Sequence, residues 1–150
     1  DNTQSFVFGT VARAIYDLKL GAERDDIPQK IIIFVDELNK YAPTHSEHSP
    51  ITKQLLDIAE RGRSLGIILF AVEQFRSAVQ ERVIGNCATH AYGRTNSMEL
   101  SKPDYKCIPR VYQNMLTRLS PGEYIISSPA LRSYVNVKFP RPAYKQFPNG

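Results

Sequence analysis

Two unbroken apolar runs, Ile31–Val35 and Ile67–Val72, stand out from the mixed apolar and polar pattern of the rest of the chain. Each is short and largely β-branched, the pattern of a strand buried on both faces in a parallel sheet. Between them Pro50 fits the first position of a helix, with Ser49 as its cap. Ile51, Leu55, Ile58, Ala59 and Leu65 then keep a helical apolar face as far as Gly66. Strand, helix, strand is a βαβ unit. It predicts an α/β fold with a right-handed crossover, the two runs lying parallel, and both central, in one sheet flanked by helices.

Upstream, Val7, Val11, Ile15 and Leu18 predict an amphipathic helix over Ser5–Leu20, ended by Gly21, with the charged stretch Ala22–Gln29 as a connector. Downstream, the pattern predicts a short helix over Ser77–Gly85 and a third, shorter strand over Ala88–Gly93. Ser97–Tyr105 reads as helix or loop, and Pro109–Leu119 as a helix started by its proline. Pro121-Gly122 is a turn, and Tyr124–Ser127 with Tyr134–Phe139 forms a hairpin. The proline-rich end, residues 140–150, reads as a tail.

With 150 residues the chain is expected to be a single domain over residues 1–150. No apolar run approaches the roughly 20 residues that cross a bilayer. The N-terminal residues lack the basic leader and apolar core of a signal peptide, and Cys87 and Cys107 are too few for a disulfide scaffold. A reduced, cytoplasmic protein is expected. The net charge of +4 and pI near 9.1 permit a polyanionic partner without demanding one.

The densest chemistry lies in IIIFVDELNKYAP, residues 31–43. Ligands of parallel α/β sheets bind beyond the carboxyl ends of the strands, where Asp36 and Glu37 fall. Two adjacent acids there suit two tasks, one holding Mg²⁺ through its water shell and one orienting an attacking water. A pair of solvated acids at a strand end is the alternative. Gln74 follows the second run and reaches the same edge, where an amide can donate to a phosphate oxygen and accept from a water. By strand alternation, Glu73 points to the other face.

FVDELNKYAP, the helix end AERGRSLG, then IILFAVEQF and NCATHAYGRT together resemble the C-terminal half of the HerA–FtsK-type P-loop ATPases, HerA-like proteins above all. The resemblance runs from about Phe6 to Pro142. It implies a partial RecA-like core with a closing C-terminal hairpin, taken from an ATP-driven DNA translocase or helicase. It makes Asp36 and Glu37 the Walker B pair, with Asp36 at the magnesium shell and Glu37 at the attacking water. Gln74 becomes the polar sensor, and Arg63 the arginine finger. ATP and Mg²⁺ are the implied cofactors, and DNA, a hexameric ring of copies and a nuclease the implied partners. One departure is plain: no glycine here is followed by lysine, so G-x-x-x-x-G-K-[ST] is absent. The resemblance places that loop upstream of Asp1, leaving a chain that neither grips nor hydrolyses ATP alone.

Topology constrains Arg63 separately. A crossover helix returns to the amino edge of the sheet, opposite Asp36, Glu37 and Gln74, so Arg63 suits a neighbouring subunit's nucleotide; Arg61 is its rival. A surface arginine near a helix C-terminus is the plainer alternative. His45, Glu47 and His48 form a cluster without a third converging ligand, and read as a solvated loop. Arg76, Arg82, Arg94, Arg110, Arg118, Arg132, Lys138 and Arg141 could face a phosphate backbone or only solvent. Two other classes stay open: a non-catalytic α/β module for oligomerisation or partner binding, and a metal hydrolase built on Asp36, Glu37 and the histidines.

Overall fold

The structure is a computed structural model describing residues 2–21, 30–45 and 49–140. The connector Ala22–Gln29, the residues Glu47 and His48, and the tail from Arg141 onward lie outside the described residues. The chain divides into two compact units, Asp1–Cys87 and Ala88–Gly150.

In the first unit helix α1 (Asn2–Gly21) precedes strand β1 (Ile31–Val35), helix α2 (Pro50–Leu65), strand β2 (Ile67–Ala71) and helix α3 (Glu81–Asn86). The strands pair in parallel, in register from Ile31 opposite Ile67 to Val35 opposite Ala71, as the βαβ pattern predicts. Two backbone bonds close the ladder at its ends, Ile31 N–H to Gly66 O at 2.9 Å and Val72 N–H to Val35 O at 2.8 Å. Helices α1 and α2 cover one face, where Ala12, Ile58 and Ile67 are buried against Ile15, Ile33 and Leu69.

The other face is bare among the described residues. Phe34 is 73% exposed and Phe70 50%, with their rings stacked 5.0 Å apart, and Ile32 and Ile68 stand beside them. The expectation of burial on both faces is corrected here, as is that of two central strands, since the sheet among the described residues has only β1 and β2. An unbroken apolar run records that both faces suit burial; it does not say that elements are present to cover them.

Helix α1 departs from its predicted face as well. Of the predicted face Val7, Val11 and Leu18 are exposed and Ile15 packs inward, beside Phe8, Ala12 and Tyr16, with Phe8 stacked on Tyr41 at 4.3 Å. The helix is apolar along two stripes, and periodicity alone does not choose which one meets the core. Helix α2 begins as predicted at Pro50, although the Ser49 hydroxyl makes no capping bond. It ends at Gly66, whose φ of 71° is the left-handed cap that glycine accepts freely.

The second unit holds strand β3 (His90–Tyr92), helix α4 (Ser97–Leu100), helix α5 (Arg110–Leu116) and strands β4 (Glu123–Ser127) and β5 (Val135–Lys138). Its sheet is antiparallel in the order β3-β4-β5, so the third strand joins the predicted hairpin and not the parallel pair. Leu116, Ile108 and Ile125 are fully buried at its centre. Pro109 is the N-cap of α5, not its first residue. The Gln113 side chain donates to the Tyr105 and Ile108 carbonyls at 3.0 and 2.8 Å, fastening α5 to the turn before it.

Gly62 lies where α2 presses on β2: a Cβ there would stand 2.8 Å from the Ile67 carbonyl oxygen. Gly62→Ala is therefore expected to lose about 1–3 kcal/mol in urea unfolding from overpacking, before the helix-propensity gain of up to ~1 kcal/mol is set against it. Gly85, in α3, has open space around the same position and is the control. Gly85→Ala should gain up to about 1 kcal/mol. A Gly62→Ala protein as stable as Gly85→Ala would show that the helix-strand contact is looser than this.

Candidate functional site

Asp36 and Glu37 directly follow the last ladder pair of β1, and Gln74 lies three residues beyond β2. Because the strands are parallel, all three reach one edge of the sheet. Asp36 and Gln74 are exposed and Glu37 is half-buried.

The chain turns sharply at Glu37, whose φ of 53° and ψ of 58° put a non-glycine residue in the left-handed region. Such a conformation costs roughly 1–2 kcal/mol for an L-residue, and persists where its surroundings hold it. Three groups hold it here. The Glu37 N–H donates to Asp36 Oδ1 at 2.9 Å. The Leu38 N–H donates to Val72 O at 3.1 Å, stitching the turn to the end of β2. The Glu37 carboxylate itself forms an ion pair with Lys40, one turn on in the short 3-10 helix Leu38–Lys40.

Glu73 is the residue that sequence reasoning misplaced. Strand β2 ends at Ala71, so side-chain alternation does not extend to Glu73. Its carboxylate turns toward the site edge: Oε2 accepts from Asn39 N–H at 2.7 Å, and Oε1 accepts from Gln74 N–H at 2.6 Å and Phe75 N–H at 3.3 Å. Lys40 was also missed, though its position three residues after Glu37 is a helical ion-pair spacing readable in the sequence.

Arg63 lies at the far edge. It is three residues before Gly66, whose carbonyl accepts from Ile31 at the start of β1. The five-residue strands set the Gly66 end of α2 off from Asp36 by about 16 Å along the sheet, at roughly 3.3 Å per residue, and Arg63 lies within one helical turn of that end. The structure thus places Asp36, Glu37 and Gln74 at one edge of the sheet and Arg63 toward the other. Arg63 is exposed and has no side-chain partner among the described residues. Arg61 is engaged: a hydrogen bond with Tyr16 of α1 is the first cause that raises its guanidinium above the ordinary range.

The donor set suits a hydrated cation better than a bare one. No cluster of three or more His, Cys, Asp or Glu side chains forms a metal site among the described residues. One carboxylate working through water is the usual protein share of a Mg²⁺ site whose other ligands are phosphates. Asp36 fits that share, with Oδ2 free of protein hydrogen bonds among the described residues. A phosphate cradle is a different matter, because the chain contains no Gly-Lys pair.

Elsewhere several basic side chains are committed to the fold. Arg82 pairs with Glu60 at 2.8 Å, Lys102 with the buried Glu99 at 2.7 Å, and Lys138 with Glu123 at 3.6 Å. Arg94, Arg110, Arg118 and Arg132 are exposed. Cys87 is partly buried, which pushes its thiol up from the ordinary range, and Cys107 is exposed. His45 takes a left-handed φ of 74°.

No family model and no curated protein matches the sequence. Solved structures do match. The genome packaging NTPase B204 from Sulfolobus turreted icosahedral virus 2, in complex with AMPPCP, superposes with a TM-score of 0.58 at 13% identity, covering 73% of this chain and 52% of that one. The two share a fold. The B204 complexes with AMP and with ATP-gammaS give TM-scores of 0.56 and 0.57, both at 14% identity and 71% coverage of this chain. This chain thus shares a mixed α/β fold with that NTPase over about seven-tenths of its own residues, and it spans about half the length of B204.

Lys40 is held above its ordinary range first by the hydrogen bond to Glu37 and then by that carboxylate's charge. A cation beside an anion keeps its proton to higher pH, so Glu37→Gln should lower the Lys40 titration midpoint. Carbon-13 NMR of the Lys40 ε-carbon measures this directly. An unchanged midpoint would show that the ion pair does not form in solution.

Proposed function

We propose that this chain carries the Walker B half of an ATP-driven DNA motor of the HerA–FtsK type. The observation that carries this reading is the meeting of Asp36, Glu37 and Gln74 at the carboxyl edge of a parallel strand pair. The fold shared with a genome packaging NTPase supports it. Asp36 would hold Mg²⁺ through water, and Glu37 would orient the attacking water once free of Lys40. Gln74 would bond a phosphate oxygen or that water. Magnesium bound with ATP supplies charge neutralisation at the phosphates. Arg63 would serve the site of the adjacent copy in a hexameric ring, where a planar cation stabilises charge on the transferred group. DNA would be the polymer moved, through backbone contacts, with a nuclease as a further partner.

A second reading has its own observation. The bare face of Ile32, Phe34, Ile68 and Phe70, together with the missing Gly-Lys pair, favours a non-catalytic module that binds a partner or a second copy. Isothermal titration of the isolated chain with Mg-ATP bears on both readings. The backbone amides and lysine of a P-loop provide most of the grip on the phosphates, so no micromolar binding is expected. Micromolar affinity would reveal a phosphate site in these residues and overturn the half-site reading.

In an ATPase ring containing this segment and a P-loop, Glu37→Gln should leave nucleotide binding intact and stop turnover. Arg63→Ala should reduce turnover by about 10³-fold or more. Mixed rings of the two variants should regain activity, because an Arg63→Ala subunit keeps a usable site beside a Glu37→Gln neighbour that still carries Arg63. Wild-type turnover in pure Arg63→Ala rings would remove Arg63 from the mechanism.

A further inference from the structure

We infer that Glu73 is a positioning residue whose single carboxylate locks the Asp36–Glu37 turn and the Gln74 loop into one rigid edge. The inference rests on the reading of that edge as the nucleotide-facing side of the chain. The two loops are 34 residues apart in sequence at the Asn39–Glu73 bond, yet they converge on the same two oxygens. One oxygen takes the Asn39 N–H of the first loop, and the other takes Gln74 and Phe75 of the second. A carboxylate accepts at both oxygens and donates at neither, so it can face backbone donors on two sides at once. The Leu38–Val72 backbone bond adds a second fixture beside it.

The consequence is geometric. Glu37 sits two residues before Asn39, and Gln74 immediately follows Glu73. Displacing either loop would have to break charge-assisted hydrogen bonds held by the other. The acid that orients water and the amide beside it then keep a fixed separation, which preorganised catalysis requires and flexible loop ends do not provide.

Glu73→Gln separates this role from mere space filling, because it keeps the shape and replaces one acceptor oxygen with an NH₂ donor. Amide exchange followed by NMR on the nitrogen-15-labelled chain is the measurement, with Val72 N–H, bonded to Val35 O, as the control for an intact ladder. In wild type, the Asn39, Gln74 and Phe75 amides should all be protected. In Glu73→Gln, protection should fall about tenfold or more on one side of the clamp, at Asn39 or at the Gln74-Phe75 pair, and persist on the other. In Glu73→Ala both sides should lose it while Val72 stays protected. Unchanged exchange in Glu73→Gln would overturn the clamp. So would equal loss at Val72 in both variants, since Glu73 would then be supporting the whole ladder. No nucleotide enters this test, so its failure is distinguishable from failure of the Walker B reading, which shows in nucleotide binding and turnover.

Discussion

The parallel ladder between β1 and β2 is the constraint on which the rest of the first unit depends. Its register puts Val35 beside Ala71, so the residues after each strand emerge side by side and the acids meet the amide without further design. The same register puts Gly66 beside Ile31, fixing the end of α2 and Arg63 at the opposite edge. Gly62 lets α2 come close enough to β2 for this to happen, with its missing side chain opposite the Ile67 carbonyl. The glycine preceding Arg63 is thus explained by packing, whatever Arg63 does.

Much of this was legible in the sequence, and the reasons for the failures are specific. Two short apolar runs joined by a proline-started helix define a βαβ unit, and handedness and pairing follow from general rules. The position of Asp36, Glu37 and Gln74 at one sheet edge was legible because each follows one of those runs within two residues. Helix α1 was legible as a helix, but of its predicted face Val7-Val11-Ile15-Leu18 only Ile15 packs inward, because Phe8, Ala12 and Tyr16 offer a second stripe and only tertiary packing selects between them. The place of β3 was not legible either. Three residues pair with whatever edge is offered, and the hairpin that offers it lies more than thirty residues downstream in the sequence. Glu73 was misread because strand alternation was extended past Ala71, where backbone donors, and not the pleat, orient the side chain.

The three acids at the edge are in three different states, and this orders their availability. Glu73 is consumed by backbone N–H groups, Glu37 by Lys40, and Asp36 is half-used by the Glu37 N–H. Asp36 is therefore the acid readiest to meet a hydrated cation. On the proposed reading Glu37 would act on water only after Lys40 gives it up, and an incoming polyanion is the kind of ligand that would draw an exposed ammonium away. The bonds from Glu37 N–H to Asp36 Oδ1 and from Leu38 N–H to Val72 O do not involve Lys40, so two of the three supports of the turn are independent of that ion pair.

The bare sheet face and the site edge are consecutive along the chain. Phe34 is two residues before Asp36, and Phe70 is followed by the exposed Val72 and then by Glu73 and Gln74. The stacked Phe34 and Phe70 rings thus lie within a few residues of the acids along both strands. Burying those rings is favourable at about 25 cal/mol per Å² of apolar surface, and a cover that extended to the edge would exclude water there as well. Charges that are screened while the edge is open would then interact in a lower dielectric, where each ion pair and each bond to a phosphate oxygen counts for more.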